Sequence, residues 1–165
     1  MKEPKLRFVT QKAVEDLTKN LNLHYTLSDY QDWEFIVGKP KDIEKYINYY
    51  ATEFDEDNKF ALMEIIIQAT EDQTTENDFF KHLKILLKLL KENFRLHEYS
   101  VYYWSCFENE NIEDCWKVTP FMRDLWQNTS SANILVSKDM NRFLNIFKQK
   151  NEFFDLNMFK INQGV

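Results

Sequence analysis

A chain of 165 residues that is 44% hydrophobic and 16% aromatic has enough apolar material for one folded core, and its 29% of charged residues is ordinary for a globular surface. The formal net charge of -6 excludes general binding to a phosphate backbone, which needs clustered lysine and arginine, and favours a basic protein as partner. Only two glycines are present, Gly38 and Gly164, so no glycine-rich loop can be built to cradle a nucleotide's phosphates.

No apolar run approaches the roughly 18 residues that span a bilayer. The longest comparable segment, HLKILLKLLKENF, is broken by lysine every few residues. The N-terminal stretch MKEPKLRFVTQKAVED has no apolar signal core, and two cysteines do not make a disulfide scaffold. The expectation is one globular domain over 1–165 in the cytoplasm, monomeric or homodimeric, without cofactor, metal, membrane or nucleic acid.

Taken in chain order, the first helix is predicted over 11–21, with Thr10 as its cap and Ala13, Val14, Leu17 and Leu21 as a narrow apolar stripe. WEFIVG alternates weakly and reads as a short strand or extended loop ending at Gly38. Pro40 suits the first turn of the next helix, in which Ile43, Tyr46, Ile47 and Tyr50 share a face. FDEDNK reads as an interruption. A central helix over 59–70 follows, in which Glu64 is the one polar residue between Phe60 and Ile67.

Thr75 and Asp78 approximate a capping box for the next helix. Phe79, Leu83, Leu86, Leu90 and Phe94 line one of its faces, and Lys81, Lys84, Lys88 and Lys91 line the other. SVYYWSCF and CWKV are rich in β-branched and aromatic residues around a turn-like ENENIED, so a small β-hairpin is predicted over 101–118. Thr119 and Pro120 start a short helix, ILVS suggests a brief strand, and Ser137 caps a last helix that buries Met140, Phe143, Leu144 and Phe147. The fold class is mainly α: about six helices around 59–70, with a small β-hairpin.

A symmetric hairpin would place Cys106 opposite Cys115, with Cβ atoms about 4.5–5.5 Å apart. A disulfide is then geometrically feasible, but a reducing compartment favours two thiols acting as small apolar residues. Zinc needs four close-spaced ligands; no C-x-x-C is present and His97 is the one histidine nearby. His24, His82 and His97 are scattered, with no H-E-x-x-H, and no G-x-S-x-G elbow occurs. Two starting points for catalysis stand out. Glu64 is a carboxylate in an apolar helix, and Cys106 with His97 is a conceivable thiol and base. The lysine face reads as a solvated helix side.

The acidic clusters are the clearest positive signal: Asp55 to Asp57, 70–78, and 108–114, all in expected loops. With the aromatics of the expected hairpin they define a recognition surface for a basic partner: Asp55, Glu56, Asp57, Tyr102, Trp104, Glu108, Glu110, Glu113, Asp114 and Trp116. In length, acidity, absence of a catalytic motif and the aromatic, acidic segment ENENIEDCWKVTPFMRDLW, the chain resembles the small immunity proteins of bacterial polymorphic-toxin and contact-dependent inhibition systems. The resemblance is one of type and assigns no residues. It implies a cytoplasmic, non-enzymatic protein that binds and blocks a toxin domain, often a basic nuclease. A self-associating regulatory or scaffold domain is the alternative function, and a small enzyme the third.

Overall fold

The computed structural model describes residues 3–24 and 32–130. Its elements are α1 (Gln11–Leu21), α2 (Trp33–Val37), α3 (Ile43–Thr52), α4 (Glu56–Glu71), α5 (Glu76–Glu92), α6 (Phe94–Trp104) and α7 (Thr119–Ser130), with 3-10 turns at Pro40–Asp42 and Ile112–Asp114. The mainly α architecture is as expected. The strand expected at ILVS and the helix after Ser137 lie outside the described residues.

Local sequence accounts for the helix ends. The Thr10 hydroxyl accepts from the Ala13 amide and starts α1. At its other end Asn22 adopts a left-handed conformation, φ 46°, and the Leu23 amide reaches back to the Thr18 carbonyl. Thr75 accepts from the Asp78 amide at the start of α5, and its own hydroxyl donates to the Asp78 carboxylate. Helix α4 begins earlier than expected. Asp55 is its cap, accepting from the amides of Asp57 and Asn58, and Glu56 and Asp57 form its first turn. The run of acids reads as an interruption by polarity alone, yet three carboxylates at a helix N-terminus complement the exposed amides and the helix dipole.

Around α4 five helices form a shell: α1, α2, α3, α5 and α6 all pack against it, and α7 packs on α5 and α6. Phe60 through Ile67 are all buried, with Ala61, Leu62, Met63, Ile65, Ile66 and Ile67 wholly so. A helix apolar on every side is satisfied only at the centre of such a shell. Helix α2 replaces the strand or loop expected at WEFIVG. Trp33 and Val37, four residues apart, both bury against the core, and a strand would have put them on one face with Phe35. Gly38 ends α2 in tight contact with α4: a Cβ there would meet the Glu34 carbonyl at 2.9 Å and Gln68 Cβ at 3.0 Å.

The hairpin expected over 101–118 is not formed, and there is no strand among the described residues. The long helix expected from 75 onward stops at Glu92. After a break at Asn93 the chain continues as α6, which takes up SVYYW. Strand propensity of aromatic and β-branched residues is weak and yields to packing. Here His97, Ser100, Val101 and Trp104 recur at helical spacing and bury one face of α6. No helix among the described residues is long and apolar enough to cross a membrane.

Candidate binding surface

Helix α6 sets the direction of the site. His97 stacks on Phe60 with ring centroids 6.3 Å apart, and Trp104 Nε1–H donates to Glu64 Oε2 at 2.9 Å. Helices α6 and α4 therefore run in the same direction, and the chain leaving α6 is carried toward the C-terminal end of α4. There Glu71 accepts from the amides of Lys117 and Val118, both at 3.0 Å. The Lys117 ammonium donates to the Gln73 carbonyl.

Between those anchors the acidic loop is held from within. Cys106 is left-handed, φ 49°, and turns the chain out of α6. The Arg123 guanidinium of α7 donates to three loop carbonyls: Ser105 at 2.7 Å, Cys106 at 2.6 Å and Asn109 at 2.9 Å. Asn109 accepts from the Asn111 amide, Asn111 from the Glu113 amide, and the Asn111 amide group donates to Asp114. Such a network fixes the loop before any partner arrives and leaves Glu108, Glu110, Glu113 and Asp114 facing solvent. Arg123→Ala should cost about 1–2 kcal/mol, because three carbonyls lose a charged donor. Hydrogen exchange is the more direct check: amides of 106–114 lose protection while α4 keeps its own, and unaltered loop protection would refute the clamp.

The aromatics of the site sort by helical angle. Tyr99 and Tyr103, four residues apart on α6, share a face. Their rings are 6.4 Å apart, with Phe8 6.5 Å beyond Tyr99 and Trp116 5.6 Å beyond Tyr103. The result is a strip, Phe8–Tyr99–Tyr103–Trp116, that ends beside the acidic loop. Phe8 is 70% and Tyr103 44% exposed.

Of the residues expected to bind a partner, the structure brings Glu108, Glu110, Glu113, Asp114 and Trp116 together. Trp104 is completely buried against Glu64 and Trp116, and Tyr102 turns away to pack on Trp126 and Phe107. Asp55, Glu56 and Asp57 stand at the opposite end of α4, whose 16 residues span about 24 Å. Two of those acids already have cationic neighbours: Asp55 has Lys12 at 3.3 Å, and Asp57 has Arg7 at 2.9 Å. Phe8, Tyr99 and Arg123 escaped the sequence reading. The four-residue spacing of Tyr99 and Tyr103 was the available signal, and it has meaning only once the segment is known to be helical.

The two cysteines are free neighbours rather than cross-strand partners. Burial, then the thiol of Cys115 and the carboxylate of Glu108, push Cys106 up to about 12, so it stays protonated and is a poor nucleophile or metal ligand. His97 is nine residues from Cys106, about 13 Å along a helix, and bonds Tyr50 instead. Lys81 pairs with Glu44 and Lys88 with Glu92, on a solvent-facing side of α5. No group of three or more histidine, cysteine or acidic side chains suited to a metal occurs among the described residues.

Glu64, the carboxylate in the apolar helix, is buried and accepts from the Trp104 indole. It lines a cleft of about 250 Å³ with Glu34 and Asp32, walled by Phe35, Phe60, Tyr99 and Tyr103. Burial pushes its carboxyl up to about 7, against the nearby Ser100 hydroxyl and the hydrogen bond of the Trp104 indole, which favour the ionised form. Burial also raises Glu34 above the ordinary carboxylate range. No known protein family, no curated protein and no solved structure matches this chain.

Proposed function

We propose that this chain is a stoichiometric binding protein that presents its clamped acidic loop, with the strip Tyr99–Tyr103–Trp116, to a basic protein, as an immunity protein neutralises a toxin domain. The observation that carries the reading is the Arg123 and Glu71 framework, which holds four exposed carboxylates in one arrangement beside the exposed Tyr103 and the half-buried Tyr99 and Trp116. A prearranged loop loses little conformational freedom on binding, and tyrosine and tryptophan are the residue types that dominate interface energies. Carboxylates around them steer a cationic partner and speed association.

The test is affinity capture from the native cell, with the tagged chain and a variant carrying Glu108→Lys, Glu110→Lys, Glu113→Lys and Asp114→Lys. The expected outcome is a cationic protein retained by the native chain at low salt and lost from the variant. Its association rate should fall about tenfold or more between low and high ionic strength. Asp57→Asn, at the far end of α4, should leave capture intact. Retention of the same partner by the fourfold variant, or failure to capture any cationic protein, would reject the proposal. Protection of cells that express the toxin domain from a neighbouring reading frame would identify the class of partner.

A further inference from the structure

We infer that the cleft over Glu64 is a receptor for an alkylammonium group, with Glu64 and Glu34 as its anionic floor and aromatic rings as its walls. The cleft shares Tyr99 and Tyr103 with the proposed partner surface, but its carboxylates are not those of the acidic loop and the inference does not depend on that loop. Four separate parts of the chain build the cleft: the segment before α1, α2, the middle of α4, and α6. Three carboxylates line it. Its one cation, Arg7, is engaged at the rim, where the guanidinium donates to Asp57 at 2.9 Å and to the Glu56 carbonyl and lies 5.0 Å from the centre of the Phe60 ring. Once Glu64 is ionised the carboxylates outnumber Arg7 in the cleft, and the Phe60 ring already faces that cation.

The choice of ligand follows from the walls and the size. Ring faces attract poorly hydrated organic cations, whereas Mg2+ and Ca2+ require a shell of oxygen ligands that the aromatic walls cannot supply. A cavity of about 250 Å³ lies below the range for drug-sized ligands, so the fitting species is an ammonium on a short alkyl chain. That chemistry can come from a free amine or from a lysine side chain, and the experiment separates the two.

Binding is to be followed through the Trp104 indole N–H, which is bonded to the Glu64 carboxylate and is therefore a local NMR reporter. The probes are n-pentylammonium, Nα-acetyl-lysine methylamide and, as the neutral isostere, 1-pentanol. The expected result is a saturable shift for the ammonium probes with Kd of order 1 mM, and at least about tenfold weaker binding of pentanol. Glu64→Gln should weaken the ammonium probes about tenfold, and Glu34→Gln by a smaller factor. Affinity should rise between about pH 6 and 8 and level off above, because the ionised carboxylate binds the cation and the protonated one does not. The groups facing Glu64 are Glu34 of α2 and Asp32 at its N-cap, Arg7, and Tyr99 and Tyr103 of α6. Both tyrosines are raised by burial and stay neutral over that range.

A response to the lysine derivative alone assigns the cleft to a protein side chain, and equal responses assign it to free amines. An unmoved indole at about 50 mM probe, pentanol binding as well as pentylammonium, or undiminished binding in Glu64→Gln would each overturn the inference. Should Glu64→Gln fail to fold, the pentanol comparison and Glu34→Gln still decide it.

Discussion

Replacing Glu64 by Gln is expected to stabilise the protein at pH 8 by about 2–3 kcal/mol more than at pH 5. The Glu64 carboxyl moves from an ordinary 4.5 to about 7 on folding, chiefly through burial. Between those values the folded chain holds a proton that the unfolded chain has released, so stability falls as pH rises through the window. At pH 8 the native state contains an ionised carboxylate at 8% exposure. Glutamine removes that charge and retains an acceptor for the Trp104 indole. Its amide group adds a donor close to the buried Ser100 hydroxyl, which has no hydrogen-bond partner of its own. Urea unfolding of both proteins at the two pH values measures the difference directly, and equal effects of the substitution at pH 5 and pH 8 would show that the carboxyl does not titrate there. A gain in stability coupled to loss of ammonium binding would mark Glu64 as a group kept for function at a cost to the fold.

His97→Ala should have the larger effect in the opposite direction, a loss of about 3–5 kcal/mol at neutral pH. The ring is wholly buried, stacks on Phe60, and shares a 2.8 Å hydrogen bond with the Tyr50 hydroxyl through Nε2. Truncation leaves a cavity and strands that hydroxyl, which burial keeps neutral by pushing Tyr50 up to about 12. His97 also governs the acid limb. Burial, with the nearby charges of Arg7 and Lys59, lowers it from 6.5 to about 3. Its contribution is therefore complete above about pH 6.5 and is lost as pH falls toward 3, at roughly 1.4 kcal/mol per unit.

From pH 4.5 to 6.5 the Glu64 and His97 slopes have opposite signs and similar size, so their sum in the native chain is nearly flat. Glu64→Gln uncovers the His97 slope, and the protein then weakens on acidification across that window. His97→Phe, which keeps a stacked ring, uncovers the Glu64 slope, and the protein then strengthens from pH 7 down to 4.5. The double substitution His97→Phe with Tyr50→Phe should regain about 1–2 kcal/mol over His97→Phe alone, since no hydroxyl is left unpaired. A stability profile of His97→Phe parallel to that of the native chain would show that the imidazole does not control acid unfolding.

Some of this protein was legible in one dimension. The ends of α1, the shared face of Ile43, Tyr46 and Tyr50, and the central place of the all-round apolar helix follow from the Thr10 cap and 3.6-residue periodicity, which act over a few residues and need no knowledge of the fold. Helix α7 starts where Pro120 suggested, but Thr119 is its first residue and its buried hydroxyl caps nothing. The run Asp55 to Asp57 and the segment 100–104 were misread for one reason: their composition is ambiguous locally. Acids suit a loop or a helix N-terminus, and aromatic residues suit a strand or a helix. Only the packing against α4 selects between them, through burial of His97 and Trp104 on one side of α6. The same selection turned Tyr103 outward and Trp104 inward and moved the acidic loop to the Glu71 end of α4. It also closed Glu34 and Glu64, thirty positions apart in the chain, over one cleft. The sequence alone determined most of the helices, though not α2 or α6, and the sign of the charge. Where that charge meets aromatic surface was decided by long-range contacts, because no local pattern records which helix will lie across which.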